Sequence, residues 1–283
     1  MGLGATGSFY DNIAEPLATF TRVVWYDRAG LGQSDPAPTP RTIQDLVVDL
    51  HALLHTANIP APYVLVGHSL GGLTVRFYRE QYPEEVVALV LIDSSHEEQQ
   101  QRQLAVLPPS QAGESSDLAQ LRHAWKVSWS DPLSNEEHID NLANSELMRT
   151  CGTLDSTPLV IISRGRSDRD PASYPPGLVE QLEQTWRQMQ RELTQLSSQS
   201  QHIIASKSGH LINRDEPALV IKVIRQTVLQ IRGKRTEKRW PKSRRTRIMV
   251  KISHRDSRPP SIQRAQVSSS HISPSASEPR QQM

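Results

Sequence analysis

Apolar positions along this chain recur in two rhythms. Unbroken apolar runs at 21–27 (TRVVWYD), 63–67, 86–92, 159–163 and 202–205 are of strand length and rich in β-branched residues. Such runs imply strands buried on both faces. Between them the spacing changes to threes and fours. Ile43, Leu46, Val47, Leu50, Leu53 and Leu54 predict an amphipathic helix from Thr42 to about Ala57, with Thr42 at its N-cap. Further helices are expected from just after Ser69 to about Tyr82, where Pro83 helps to end the turn, over about 178–196 and over about 217–231. Strands alternating with helices predict an α/β fold, a mostly parallel sheet with helices on both faces.

Two stretches break the rhythm. Residues 94–156 are Gln- and Glu-rich, hold Pro108-Pro109, Trp125 and Trp129, and contain no buried-strand pattern. They are expected to form a helical cap inserted into one domain spanning 1–232. After Ile231 the sequence runs RGKRTEKRWPKSRRTRIMVK from Arg232, and the stretch 233–283 passes into a Ser/Pro/Gln-rich end. With little to bury, this segment is expected to be disordered.

Charge follows the same division. The chain has 283 residues and a formal charge of +2, yet residues 232–283 carry 14 Lys and Arg against 3 Asp and Glu, leaving 18 basic and 27 acidic residues before them. The overall balance therefore says little about the folded body. Cys151 is the only cysteine, which excludes an intrachain disulfide and suits a reducing compartment. No apolar run is long enough for a membrane span, and no start of the signal-peptide kind is found, so a soluble, cytoplasmic chain is expected. The opening Met1-Gly2-Leu3-Gly4-Ala5 reads like the interior of a domain, so an upstream segment is an open possibility.

The chemistry centres on Gly67-His68-Ser69-Leu70-Gly71, a G-x-S-x-G sequence placed directly after a buried strand and directly before a helix. A turn there strains the serine backbone and leaves no room for a Cβ on the flanking glycines. A serine hydroxyl is a weak nucleophile at neutral pH, so a histidine must accept its proton and return one to the leaving group. Of ten histidines, His210 is the best placed: it follows the last predicted strand in the turn Ser208-Gly209-His210 and precedes the last helix. His68 is expected to pack beside the turn, and His51 and His55 lie on the helix over 42–57. The histidines and Cys151 lack zinc-ligand spacing, so neither metal nor cofactor is expected.

With Tyr26-Asp27-Arg28-Ala29-Gly30-Leu31-Gly32-Gln33-Ser34, Gly67–Gly72, Leu91-Ile92-Asp93-Ser94-Ser95-His96, and Ser208-Gly209-His210 followed by Asp215-Glu216-Pro217, the chain resembles the α/β-hydrolase superfamily over about 2–231. The likeness is to the AB hydrolase-1 type, the prolyl-iminopeptidase and esterase-like group. It implies a Ser, acid, His order along the chain. Asp168 lies in the loop after the 159–163 strand, where the acid of that fold most often sits, and is favoured narrowly. Asp93, at the end of the preceding strand, is the alternative. The resemblance also implies an oxyanion hole from the backbone N–H groups of Leu70 and Leu3. It departs from the family at the start, where three strands are missing. In the family order the third of these lies between the strands at 21–27 and 63–67, so a gap is expected there unless those two pair directly or a partner chain fills it. Impaired stability and activity are expected to follow.

The leading expectation is a serine hydrolase acting on a small-molecule ester or amide, with Trp125, Trp129, Leu147 and Met148 of the cap suiting an apolar ligand or simply packing within it. The alternative is a non-catalytic protein that keeps the fold as a binding module. A third reading takes Lys242-Ser243-Arg244-Arg245-Thr246-Arg247 as a phosphate contact, but nucleic-acid binding is not expected of so incidental a cluster. Substrate identity and oligomeric state are not legible.

Overall fold

The computed structural model describes residues 2–234 and 247–250. In chain order the elements are α1 (Asp11–Ala18), β1 (Val23–Tyr26), α2 (Ile43–Thr56), β2 (Tyr63–His68), α3 (Leu70–Gln81), β3 (Val86–Ile92), α4 (Gln99–Ala105), α5 (Ser116–Lys126), α6 (Asn141–Thr150), β4 (Leu159–Arg164), α7 (Leu178–Glu192), β5 (Ser200–Ala205), α8 (Ile212–Asp215), α9 (Pro217–Lys234) and β6 (Arg247–Val250). The order β2-β3-β4-β5 forms a parallel four-stranded sheet.

Period-two alternation fills both sides of that sheet. Leu89 and Leu91 of β3, with Leu159 and Ile161 of β4, enter a core shared with α2 and α3. Val90 and Ile92, with Val160 and Ile162, turn the other way and pack with Ile13 and Leu17 of α1 and Val223 and Ile224 of α9. A strand apolar at every position therefore serves two cores at once. The start of α2 is fixed as its sequence suggests: the Asp45 carboxylate accepts the Thr42 N–H at 2.7 Å, and Asn144 of α6 accepts the Ile43 N–H, also at 2.7 Å.

Three features differ from the sequence reading or extend it. Helix α1 was not anticipated, because it is short and carries Pro16 within it. The stretch 233–283, expected to be without structure, supplies β6, which pairs in parallel with β1; its Ile248, Met249 and Val250 are a short apolar run inside a basic segment. The remaining residues of that stretch, except Gly233 and Lys234 at the end of α9, lie outside the described ones. The third concerns the expected gap. Among the described residues β1 and β2 are not hydrogen-bonded to each other. An apolar cleft of about 530 Å³ separates them, lined by Val23 and Val24 on one side, Val64 and Val66 on the other, and Leu54 and Val228. Accordingly β1 is half-buried along its whole length, whereas all of β4 is buried.

Segment 94–156 holds α4, α5 and α6 and no strand; Ile139 makes one isolated parallel bridge to Arg41. No helix of the described residues is long and apolar enough to cross a membrane.

Candidate active site at the carboxyl edge of the sheet

Ser69 stands between β2 and α3 with φ 53° and ψ −122°, a left-handed backbone that a non-glycine residue adopts only when its surroundings enforce it. The enforcement is visible. The Ser69 N–H donates to the Ile92 carbonyl at 3.1 Å, and the Ser69 carbonyl accepts the Gly72 and Ser95 N–H groups at 2.9 and 3.1 Å. A Cβ on Gly67 would stand 2.2 Å from the Gly71 carbonyl oxygen, and one on Gly72 would stand 1.9 Å from Ser94 Oγ. Gly67 and Gly72 thus let α3 start directly against β2 and β3.

Asp93 follows β3 by one residue, also at positive φ, and is fully buried. Its carboxylate is saturated by donors. Oδ2 accepts His210 Nδ1–H at 2.6 Å and Arg164 Nη1 at 2.8 Å; Oδ1 accepts the Arg164 N–H at 3.0 Å and Trp186 Nε1–H at 2.8 Å. Burial alone would raise its pKa, but the His210 hydrogen bond and the Arg164 charge outweigh burial and hold the carboxyl at about 2. Arg164 is held in turn by Glu183, at 3.0 and 3.1 Å, and lies 4.4 Å over the Trp186 ring. A buried charge is costly without such partners.

The favoured carboxylate is elsewhere. Asp168 is exposed, and it accepts the backbone N–H of His210 at 2.8 Å instead of touching the ring. The alternative, Asp93, is the one seated on the imidazole. Asp93 follows β3 directly and Asp168 lies in the loop after β4, both beside His210, and the direction of the side chains decides which of them meets the ring. A polar loop read from sequence does not give that direction. Asp168 fixes the turn that carries His210, and Asp93 fixes the ring.

Because the carboxylate can only accept, His210 Nδ1 is the donor of this contact, an arrangement that in the neutral ring leaves Nε2 as the acceptor. Among the described residues the Ser69 hydroxyl makes no hydrogen bond to His210. The His68 ring instead lies 4.6 Å from the His210 ring, centroid to centroid, and its Nε2–H donates to the His210 carbonyl at 2.9 Å. Burial, with His210 nearby, pushes the His68 pKa down to about 3, so this imidazole is neutral at pH 7, with Nδ1 buried and without a hydrogen-bond partner among the described residues.

The loop at Gly2-Leu3-Gly4 lies against the same turn: a Cβ on Gly2 would be 3.4 Å from Ser69 Cβ. Two residues that sequence reasoning gave no role hold it there. Arg28 Nη2 donates to the Gly2 carbonyl and Glu137 Oε1 accepts the Gly4 N–H, both at 2.6 Å. Arg28 and Glu137 are themselves a buried two-pronged pair, 2.6 Å at each contact. The signal for Arg28 was its place in the Asp27-Arg28-Ala29-Gly30 turn; Glu137 lay in the 94–156 segment, with no pattern to mark it. The Leu3 and Leu70 N–H groups donate to no protein acceptor among the described residues. Of the apolar residues of 94–156, Met148 packs into the α2/α3 core with Leu147 against it, and Trp125 and Trp129 lie on each other, centroids 5.0 Å apart.

Comparison with known proteins places this geometry in context. A family model described as the alpha/beta hydrolase fold matches residues 2–151. An AB hydrolase superfamily protein of Gibberella zeae is 25% identical over 82% of this chain and 85% of its own length. The protein YqjL of Bacillus subtilis is 26% identical over 69% of this chain and 68% of its own. Among solved structures, a thermophilic esterase from Thermogutta terrifontis superposes with a TM-score of 0.52 at 18% identity, covering 81% of this chain and 88% of that one. A hydrolase from Pseudomonas aeruginosa superposes with a TM-score of 0.52 at 15% identity, covering 80% and 87%. With just over half of its length matched by the family model and its four-stranded parallel sheet flanked by helices, the chain belongs to the α/β-hydrolase fold family.

Proposed function

We propose that the chain is a serine hydrolase that cleaves a carboxylic ester or related acyl bond through an acyl-enzyme on Ser69. The observation that carries this reading is the seating of the His210 imidazole on the buried Asp93 carboxylate, 2.6 Å away, at the strand edge that also carries the strained Ser69.

Each residue then has a stated task. Asp93 keeps the His210 proton on Nδ1 and stabilises the imidazolium; Nε2 takes the Ser69 proton as Oγ attacks the acyl carbon. The tetrahedral oxyanion is received by the Leu70 and Leu3 N–H groups, and the leaving group takes the proton back from Nε2. Water repeats the sequence on the acyl-enzyme and releases the acid. Losing one oxyanion donor costs on the order of a hundredfold to a thousandfold. The missing Ser69–His210 hydrogen bond fits a resting site, since such contacts tighten on substrate binding. The 94–156 segment serves as a cap over the acyl or alcohol group, consistent with its anchoring of the Gly2–Gly4 loop through Glu137.

Hydrolysis of p-nitrophenyl esters of increasing acyl length is the test. Wild-type turnover lost in Ser69→Ala and His210→Ala supports the reading. Equal, background-level hydrolysis by all three folded chains removes it. That result would favour the binding-module reading, to which the His68–His210 ring contact lends one observation.

A further inference from the structure

At the opposite end of the sheet, two imidazoles and a carboxylate converge. His51 and His55 are four residues apart on α2, one turn, and so share a face. Glu85 ends the short turn that leads into β3. Both Nε2 atoms lie near one oxygen, Glu85 Oε1: His55 is hydrogen-bonded to it at 2.9 Å and His51 stands 3.4 Å away. All three atoms lie within 4.8 Å of one another. We propose that His51, His55 and Glu85 form a binding site for a divalent d-block ion of zinc-like character, with water completing its coordination.

Several features favour a ligand set over a simple ion pair. The second Glu85 oxygen, Oε2, accepts the Tyr78 hydroxyl at 2.6 Å, which fixes the carboxylate direction. The His51 ring is sandwiched, stacked on Tyr82 at 3.9 Å and 12° and 4.2 Å from the His55 ring. An ion pair needs one imidazole; here two are aimed at the same point. A tetrahedral ion with bonds of about 2.1 Å holds its ligand atoms about 3.4 Å apart, against nitrogen–oxygen spacings here of 3.4 and 2.9 Å. Two imidazole nitrogens and one carboxylate oxygen suit Zn²⁺, Co²⁺ or Ni²⁺ better than Mg²⁺, which prefers six oxygens. The His55 side chain is 57% exposed, so an ion can enter from solvent.

His51 and His55 do have a spacing that zinc ligands use, one helical turn, but the sequence reading passed over it because the third ligand is thirty residues away, across α3. Glu85 lies at the amino end of β3, whereas Asp93 follows its carboxyl end. A bound ion would therefore clamp α2 to the α3–β3 connection and leave Ser69 untouched.

The test is calorimetric titration of the untagged, chelator-treated chain with Zn²⁺, with Mg²⁺ as control, together with thermal melts. The expected result is one equivalent of Zn²⁺ bound, a higher melting temperature with Zn²⁺ and no response to Mg²⁺. Binding should weaken by at least about tenfold in His55→Ala and in Glu85→Gln, both checked for native circular dichroism. No saturable Zn²⁺ binding by the wild type up to about 1 mM would overturn the proposal, as would undiminished binding in both variants.

Discussion

At the scale of single residues, the site is governed by what each titratable group touches. Asp93 accepts four hydrogen bonds, whereas Asp168 holds only a backbone N–H. Asp93→Asn should therefore lower kcat/KM on the order of 10⁴-fold, by favouring the wrong imidazole tautomer. Asp168→Asn, which keeps an acceptor for the His210 N–H, should cost less than about tenfold, and ester kinetics on the two variants checks the contrast. Acid sensitivity follows from the same groups. The Asp93 pKa falls from 3.8 to about 2 on folding, so its stabilisation, roughly 2 kcal/mol, is complete above pH 3.8 and is lost as pH falls towards 2. His68 is depressed from 6.5 to about 3 because its charged form is refused by burial. Protons then prefer the unfolded chain between those values, and stability declines from pH 6.5 downwards. Urea midpoints measured from pH 7 to 4 should fall in the wild type and fall less steeply in His68→Gln; parallel slopes would refute the role given to His68.

Elements set where those residues can stand. The Gly67–Gly72 turn depends on backbone meeting backbone. Gly67→Ala drives a Cβ into the Gly71 carbonyl and should prevent folding or cost more than about 3 kcal/mol, whereas Gly209→Ala meets mainly the exposed Asp168 carboxylate, which can turn away. The two sheet regions differ as well. Leu89→Ala, in fully buried β3, should cost about 2–5 kcal/mol, while Val64→Ala beside the β1–β2 cleft should cost under about 1.5 kcal/mol; denaturant melts read both. Much of this level was legible in sequence. Apolar runs located β1 to β5 to within two residues at each end, although the expected burial on both faces holds for β3 and β4 and not for the half-buried β1 or the partly exposed β5. Thr42 marked the start of α2, and Gly67 to Gly72 marked the turn. What escaped was information that no local pattern holds. Helix α1 has a single short apolar face, β6 needs an edge to pair with, and the choice between Asp93 and Asp168 depends on side chains meeting across the sheet.

For the whole molecule, the notable link runs from the 94–156 segment to the reactive turn. Glu137 and Arg28 are both buried and meet only because that segment folds back on the body, where Asn144 also caps α2. Arg28→Met would leave the Glu137 charge unpaired and should cost about 3–5 kcal/mol. A paired Arg28→Met, Glu137→Leu variant should recover much of that stability yet remain poor in activity, because the Gly2 carbonyl and Gly4 N–H lose their partners; stability and turnover measured together separate the two effects. The cleft between β1 and β2 leaves a half-buried strand beside β2, so the site rests on β2, β3 and β4, whose register carries Ser69 and Asp93 to one edge.

The central claim is that Ser69 is activated by a His210 seated on Asp93. Its most direct measurement is the rate of labelling by a fluorophosphonate probe in the wild type, Ser69→Ala, Asp93→Asn and Asp168→Asn chains. The account predicts labelling of the wild type, none of Ser69→Ala, a severe loss in Asp93→Asn and a near wild-type rate in Asp168→Asn. A folded wild type that takes no label, or an Asp93→Asn chain that labels as fast as the wild type, would contradict it.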